Sequence, residues 1–375
     1  MARPLEELRK IRIKKLEEIK KLGIDPFPAR CERSHSVAQG RKMMGKKVAV
    51  AGRIMAMRGH GGIWFFDLRD ESGQIQLVFK SENTKGKSVK LLPLLDIGDF
   101  IDVQGKVFKT KAGEISIEVK GFHLLAKSLR SLPEKRKGLK DPELIFRRRY
   151  LDLAINPQRR ELFKRKAKFW EANREFLKKE GFIEVETPVL EHVTGGADAK
   201  PFVTHMDTLN QDFYLRISTE LYLKRLIGGG FEKVFTLAPN FRNEGISDEH
   251  LPEYYQIEWY WAYADYRDNI EMIKAMFLYF AKKVYGKTKF KNRGYEFNLA
   301  DEWEEIDYIK VIKEKHGIDI FKSSGKEMEA VIDKHGIQLE GAVNRMRLVD
   351  NLWKIIRKEI SGPAVLIRQR TVKKD

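Results

Sequence analysis

The spacing of apolar positions changes character along the chain. Residues 4–22 (PLEELRKIRIKKLEEIKKL) place Leu5, Leu8, Ile11, Leu16, Ile19 and Leu22 near one stripe, with Lys and Arg elsewhere. This predicts a helix that Gly23 ends and that Pro26 and Pro28 keep from resuming. From residue 47 the period falls to two. Strands are expected at Val48–Arg58, Ile63–Leu68, Gln74–Phe79, Phe100–Lys109 and Glu114–Leu125, punctuated by Gly59–Gly62, Glu71–Gly73, a longer segment containing Pro93, and Ala112–Gly113. Five short strands with one longer connection suit an OB-type barrel, a fold that often binds single-stranded nucleic acid.

A basic linker (residues 126–160) leads into a larger unit, in which Leu162, Phe163, Trp170, Phe176 and Leu177 mark a helix closed by Gly181. Phe182–Leu190 then reads as extended chain, and its Pro188 implies an edge or an interface. A Gly195–Gly196 turn would let backbone approach a ligand. After the strand Phe213–Ile217, Ser218 is a suitable N-cap for a helix over Thr219–Leu226, with Glu220 in its first turn. Beyond Asp265 a helix is expected over Asn269–Val284. Residues 291–375 look loosely helical, at Ile309–Gly317, Lys326–Gly336 and Met346–Ile360, before a polar tail, RQRTVKKD.

The clearest alternation lies in KVFTLAPNFRNEGISDEHLPEYYQIEWYWAYAD (233–265), which splits into two strands around a charged loop. Phe235, Leu237, Pro239, Phe241, Tyr255, Ile257, Trp259 and Trp261 make an apolar face. Val234, Thr236, Ala238, Asn240, Arg242, Tyr254, Gln256, Glu258 and Tyr260 make the other, which reads as the floor of a polar pocket. On a strand, the Arg242 guanidinium can grip two anions together, and Tyr254 offers a flat face to a nucleobase. Glu220, Glu258 and the Tyr260 hydroxyl suit a cationic group. An anion clamp beside an acidic subsite fits a zwitterion that carries an extra amine and is activated by a nucleotide. Paired carboxylates also occur in glycosidases, but those have no use for a phosphate clamp.

Composition narrows the partners. The net charge of +18 points to a polyanion, with nucleic acid first among the candidates. Cys31 is the only cysteine and the eight histidines lack ligand spacing, so disulfide frameworks and cysteine zinc sites are excluded. No apolar run is long enough to span a bilayer and MARPLEELRKIRIKK lacks a signal-peptide core, so no membrane partner and a cytoplasmic location are expected. In the barrel, Arg58, Phe65 and Gln76 offer a cation, a stacking ring and an amide that reads a base edge. Trp64, Phe65 and Phe66 are adjacent, however, and at least one must face inward.

Several stretches, taken in order, resemble the bacterial-type class II lysyl-tRNA synthetases. FRNEGIS (241–247) with HLPEYYQIEWYWAYADY is similar to motif 2 of that class in its lysyl form, and REFLKKEGFIEVETPVL (174–190) to motif 1, whose proline lies at a dimer interface. GLKDPELIFRRRYLDL (138–153) resembles the stretch joining the anticodon-binding and catalytic domains; GGADAKPFVTH and LRISTELYLKRLIGGGFEKVF add to the match. The likeness runs to about residue 290 and more weakly to 365.

The resemblance implies an α+β chain: a helical extension (1–30), an OB-fold anticodon-binding domain (31–130), a class II antiparallel-sheet catalytic core with flanking helices (131–290) and a helical insertion (291–375). It implies a lysine–tRNA ligase that forms lysyl-adenylate from lysine and ATP, then passes lysine to tRNA(Lys), and that works as a homodimer through the motif 1 region. Residue by residue, Arg242 would bind the ATP α-phosphate and the lysine carboxylate. Glu244 and His250 would contact ATP, and Tyr254 stands where the family stacks a phenylalanine on adenine. Gly196, Glu220, Glu258 and Tyr260 match lysine-recognising positions, and Arg58, Phe65 and Gln76 match anticodon-reading ones. Motif 3 and the acidic magnesium ligands before it are absent from these 375 residues, so an incomplete chain without its own metal ligands is expected. The alternatives are an inactive tRNA-binding relative or an aspartyl- or asparaginyl-type enzyme; Glu220 and Glu258 would repel the aspartate side chain.

Overall fold

The computed structural model describes residues 5–60, 62–80, 87–133, 139–246, 250–292, 294–337 and 344–368. Pro4, Gly61, residues 134–138 of the linker, Ser247 of FRNEGIS and the tail from Gln369 lie outside these described residues. The chain divides into two compact units, Met1–Leu162 and Phe163–Asp375.

In the first unit, helix α1 (Leu5–Lys21) is anchored by fewer residues than its stripe suggests. Ile19 enters the core, while Leu5 is exposed. Arg12, which lies off the apolar stripe, is nevertheless buried. Its guanidinium donates to the carbonyls of Ser128, Arg130 and Ile97 at 3.0–3.2 Å, satisfying backbone acceptors that would otherwise be stranded.

The barrel consists of β1 (Lys47–His60), β2 (Ile63–Arg69), β3 (Gln74–Lys80), β4 (Phe100–Lys109) and β5 (Ile115–Ala126), with short helices α2 (Val37–Arg41) and α3 (Lys87–Leu91) beside them. It closes in the order β1-β2-β3-β5-β4. Closure is possible because the long β1 pairs with β4 over Lys47–Arg53 and with β2 from Arg53 onward. At Gly105 any Cβ would lie 2.1 Å from the Glu118 carbonyl oxygen, where β4 and β5 shift register, so only glycine fits. Inside, the ring centroids of Phe66 and Phe79 are 4.8 Å apart, and those of Phe79 and Phe122 are 5.3 Å apart. Helices α4 (Pro142–Arg147) and α5 (Arg149–Ile155), from the expected linker, belong to this unit.

Helix α6 (Arg160–Lys179), which begins at the end of the first unit, buries Ala172, Phe176 and Leu177, but its first turns leave Leu162 and Phe163 exposed. The extended run expected over Phe182–Leu190 is two short pieces, β6 (Ile183–Glu184) and β7 (Leu190–Glu191), in different sheets, since Pro188 lacks the N–H that a continuous ladder needs. β8 (Val203–Met206) and β9 (Gln211–Leu215) complete the sheet β7-β9-β8. Helix α7 (Glu220–Gly228) precedes β10 (Lys233–Phe241) and β11 (Glu253–Trp261), ordered β11-β10-β6.

Helix α8 (Tyr266–Phe280) starts earlier than the apolar spacing indicates, because Asp265 and Asp268 form a capping box there. The region after 288 is not purely helical. It contains the hairpin β12 (Lys289–Asn292)/β13 (Tyr295–Asn298) and a parallel pair of β14 (Glu304–Asp307) with β15 (Ala364–Ile367). These frame α9 (Tyr308–His316), α10 (Gly325–Lys334) and α11 (Arg345–Ile356), which share one apolar cluster. Four-residue strands are too short to show a period, and the parallel pair joins residues far apart in sequence.

Candidate functional site

Register decides which side chains meet on the hairpin. Val234 faces Tyr260, Thr236 faces Glu258, Ala238 faces Gln256 and Asn240 faces Tyr254, so the expected polar face is one surface. Phe235, Ile257, Trp259 and Trp261 turn the other way and join Ala172, Phe176 and Leu177 of α6 and Met272, Met276 and Phe280 of α8 in one apolar cluster. The polar face is more enclosed than a solvated strand surface. Thr236 and Asn240 are buried, as are Ser218 and Thr219 at the entry to α7.

The α7 entry supplies one wall. The backbone places the N-cap at Thr219 rather than Ser218, while Ser218 Oγ accepts the Glu220 N–H at 3.1 Å. This frees the Thr219 hydroxyl to donate to Glu258 Oε2 at 2.7 Å. Glu220 pairs with Lys224 one turn on and accepts from the Tyr260 hydroxyl. Burial pushes the Tyr260 phenol pKa up, and the charges of Glu220 and Glu258 and the bond to Glu220 push it further. Tyr260 therefore remains a protonated donor at working pH. Gly196 closes against this wall: its φ is +83°, and a Cβ there would lie 2.7 Å from Glu220 Cβ.

At the other end of the floor, the Arg242 guanidinium carbon lies 5.4 Å from the centroid of the Tyr254 ring. Arg242 Nε is buried without a hydrogen-bond partner among the described residues, as is Asn240 Oδ1. A buried donor left unpaired on a cation suits an anionic ligand. Glu244 and His250 are exposed on the connecting loop rather than set into the floor. The structure thus brings together Gly196, Glu220, Glu258, Tyr260, Tyr254 and Arg242. Alternation alone did not single out Thr219, Asn240 or Gln256 as partners of these side chains; Asn240 and Gln256 lie on the correct face, but their bonds depend on tertiary placement.

Beneath the same hairpin, the buried Arg216 donates to the carbonyls of Thr187, Pro188 and Pro239 at 2.8–3.3 Å, tying the Pro188 segment to β10.

In the first unit, Arg58, Phe65 and Gln76 line one groove of about 540 Å³ with Ile63, Val78 and Lys80. The neighbouring aromatics divide by period: Phe66 is fully buried and Trp64 packs edge-on against it at 6.3 Å, so Phe65 turns outward. Gln76 Oε1 accepts the Ser116 hydroxyl at 3.0 Å, leaving its NH₂ group without a partner among the described residues.

The family model for class II tRNA synthetases (D, K and N) matches residues 141–352, and that for the OB-fold nucleic acid binding domain matches residues 48–125. The chain is 40% identical over 374 residues to a lysine–tRNA ligase of Thermotoga maritima, covering 97% of this chain and 74% of that protein. It is 43% identical over 348 residues to one of Clostridium perfringens, covering 91% and 70% respectively. For one of Carboxydothermus hydrogenoformans the identity is 46% over 319 residues, covering 84% and 65%. With the synthetase model matching more than half its length, the chain belongs to the lysine–tRNA ligase family of class II tRNA synthetases.

Proposed function

We propose that this chain activates lysine with ATP and transfers it to tRNA(Lys). The observation that carries this reading is one polar floor with Glu220, Glu258 and the protonated Tyr260 at one end and, at the other, an arginine whose buried Nε has no hydrogen-bond partner among the described residues. Two carboxylates and a phenol recognise an ammonium; the arginine and the adjacent Tyr254 ring recognise a phosphate and a base.

In the first step the lysine carboxylate attacks the ATP α-phosphorus, an O–P bond forms and pyrophosphate leaves. Arg242 bridges the carboxylate and the α-phosphate, drawing together two anions that would otherwise repel. Tyr254 stacks the adenine, with Glu244 and His250 contacting the nucleotide from the loop. Gly196 brings backbone to the amino acid. In the second step a ribose hydroxyl of the tRNA terminal adenosine attacks the acyl carbon and AMP leaves. No side chain acts as nucleophile, so the protein contributes placement and charge neutralisation.

The family generally uses Mg²⁺ with ATP. Among the described residues no three His, Cys, Asp or Glu side chains converge on one point. Residues 31–130 serve as the anticodon-binding domain, with Arg58, Phe65 and Gln76 reading bases, and residues 131–290 as the catalytic core. The exposed apolar residues around Pro188 — Val189, Leu190 and Val193 — suit a homodimer contact. No helix among the described residues is long and apolar enough to cross a membrane, and a cytoplasmic location fits the proposed role.

Lysine-dependent ATP–pyrophosphate exchange tests the reading. Glu258→Gln should weaken lysine roughly a hundredfold while leaving ATP nearly unchanged. Equal losses for both ligands would sink the subsite assignment, and tRNA binding without exchange would favour a non-catalytic role.

A further inference from the structure

Both bonds to the Glu258 carboxylate reach the same oxygen. Thr219 Oγ1 donates to Oε2 at 2.7 Å and Gln256 Nε2 donates to it at 3.3 Å. Among the described residues, Oε1 accepts nothing. The amide of Gln256 is engaged at its other end as well: Asn240 Nδ2 donates to its Oε1 at 2.8 Å and the Tyr254 hydroxyl donates at 3.2 Å. Two donors on one side and an acceptor-only carboxylate on the other leave a single sensible orientation. Turning the amide over would set NH₂ against NH₂ and oxygen against oxygen. Residues 254, 256 and 258 alternate along β11, so their side chains stand in a row on one face.

The geometry points to Gln256 as a positioning residue for amino-acid selection, which links the Tyr254 ring to the Glu258 carboxylate and leaves Oε1 of that carboxylate for the incoming ammonium. The inference rests on the proposed roles of Tyr254 and Glu258. It assigns a task to two groups that ring stacking and charge pairing leave unused, the Tyr254 hydroxyl and the Gln256 amide. A carboxylate held from two sides cannot follow an ammonium set at the wrong depth. A freely turning one can, so the link should sharpen the choice between lysine and ornithine, which is one methylene shorter.

The test uses the full chain with Gln256→Met, Tyr254→Phe and the double variant. Lysine and ATP dependence of pyrophosphate exchange is measured, together with calorimetric affinity for lysine and ornithine. Gln256→Met keeps the length of the side chain and removes the amide. It should weaken lysine about tenfold, the scale of a lost hydrogen bond to a charge, and weaken ornithine less, so that the preference narrows. ATP should change by less than about twofold, as for a residue that acts only on the amino-acid subsite. Tyr254→Phe keeps the ring and the packing, so it tests the idea even if Gln256→Met folds poorly. It should weaken lysine in the wild-type background and have no further effect beside Gln256→Met. Equal losses of lysine and ATP, an unchanged ornithine ratio, or independent additive effects of the two substitutions would overturn the inference alone. A wild-type protein that binds neither lysine nor ATP would overturn the underlying reading.

Discussion

The barrel groove and the hairpin floor are both β surfaces with candidate ligand-binding side chains, but they differ in what lies beneath those side chains. In the barrel, Phe66 points into a closed core while Phe65, the next residue, points into the groove with Arg58 and Gln76. Scaffold and candidate site occupy opposite faces of one strand and can vary separately. On the hairpin the site face is itself largely buried: Thr219 and Asn240 are enclosed, Glu258 takes two bonds, and Arg242 Nε has no partner among the described residues. There the residues that would hold the ligand also hold one another, so structure and recognition should change together.

Alanine at the paired barrel positions tests that separation most strongly. Phe66→Ala should cost about 3–5 kcal/mol in chemical denaturation, as for a fully buried ring. Phe65→Ala should move stability by no more than about 0.5 kcal/mol, yet weaken a single-stranded anticodon-loop RNA by about 1–3 kcal/mol. If Phe65→Ala destabilised the barrel as Phe66→Ala does, the two faces would not be independent.

A single methyl group probes the hairpin side. Gly196→Ala demands a positive φ of an L-residue and drives its Cβ into Glu220, so about 1–3 kcal/mol of strain is expected. Lysine affinity should fall alongside the urea midpoint, and a loss of stability with lysine affinity intact would break the comparison.

The smallest effect concerns acid. Burial alone would raise the Asp70 carboxyl, but bonds from Ser72, Val37 and Gly73 outweigh it and hold the pKa below the ordinary aspartate value. A depressed folded pKa means the contribution is complete above the unfolded value, near 4, and disappears as pH falls through the folded one. Asp70→Asn should therefore cost about 1 kcal/mol near neutrality, the scale of a lost cap, and flatten the acid limb of the stability curve. The groove's RNA affinity at neutral pH should be unaffected.

Much of this organisation is legible in the chain because it is local. The barrel strands alternate over seven to fourteen residues, long enough for a period of two to stand out and to assign Phe65 and Phe66 to opposite faces. The hairpin register follows from the same alternation, which placed Asn240, Arg242, Tyr254, Gln256, Glu258 and Tyr260 on one surface. The strands at 289–307 and 364–367 left no such trace; each is four residues long, and β14 finds its partner only after the helices α9–α11 have intervened. The helix begins one residue later than the Ser218 cap implies; Ser218 still accepts the Glu220 N–H, and the Thr219 hydroxyl reaches Glu258, a partner thirty-nine positions away.

By itself the sequence determined the faces: which residues share a strand side, where turns break the chain, and which motifs place it among the class II synthetases. Tertiary structure decided the contacts. It set Gly196 against Glu220, gave Oε2 of Glu258 two donors and Oε1 none among the described residues, and buried Arg12 beneath carbonyls on distant segments. Alternation is a property of neighbouring peptide units, whereas a hydrogen bond across a fold depends on the packing of elements far apart in the chain, and no local period records it.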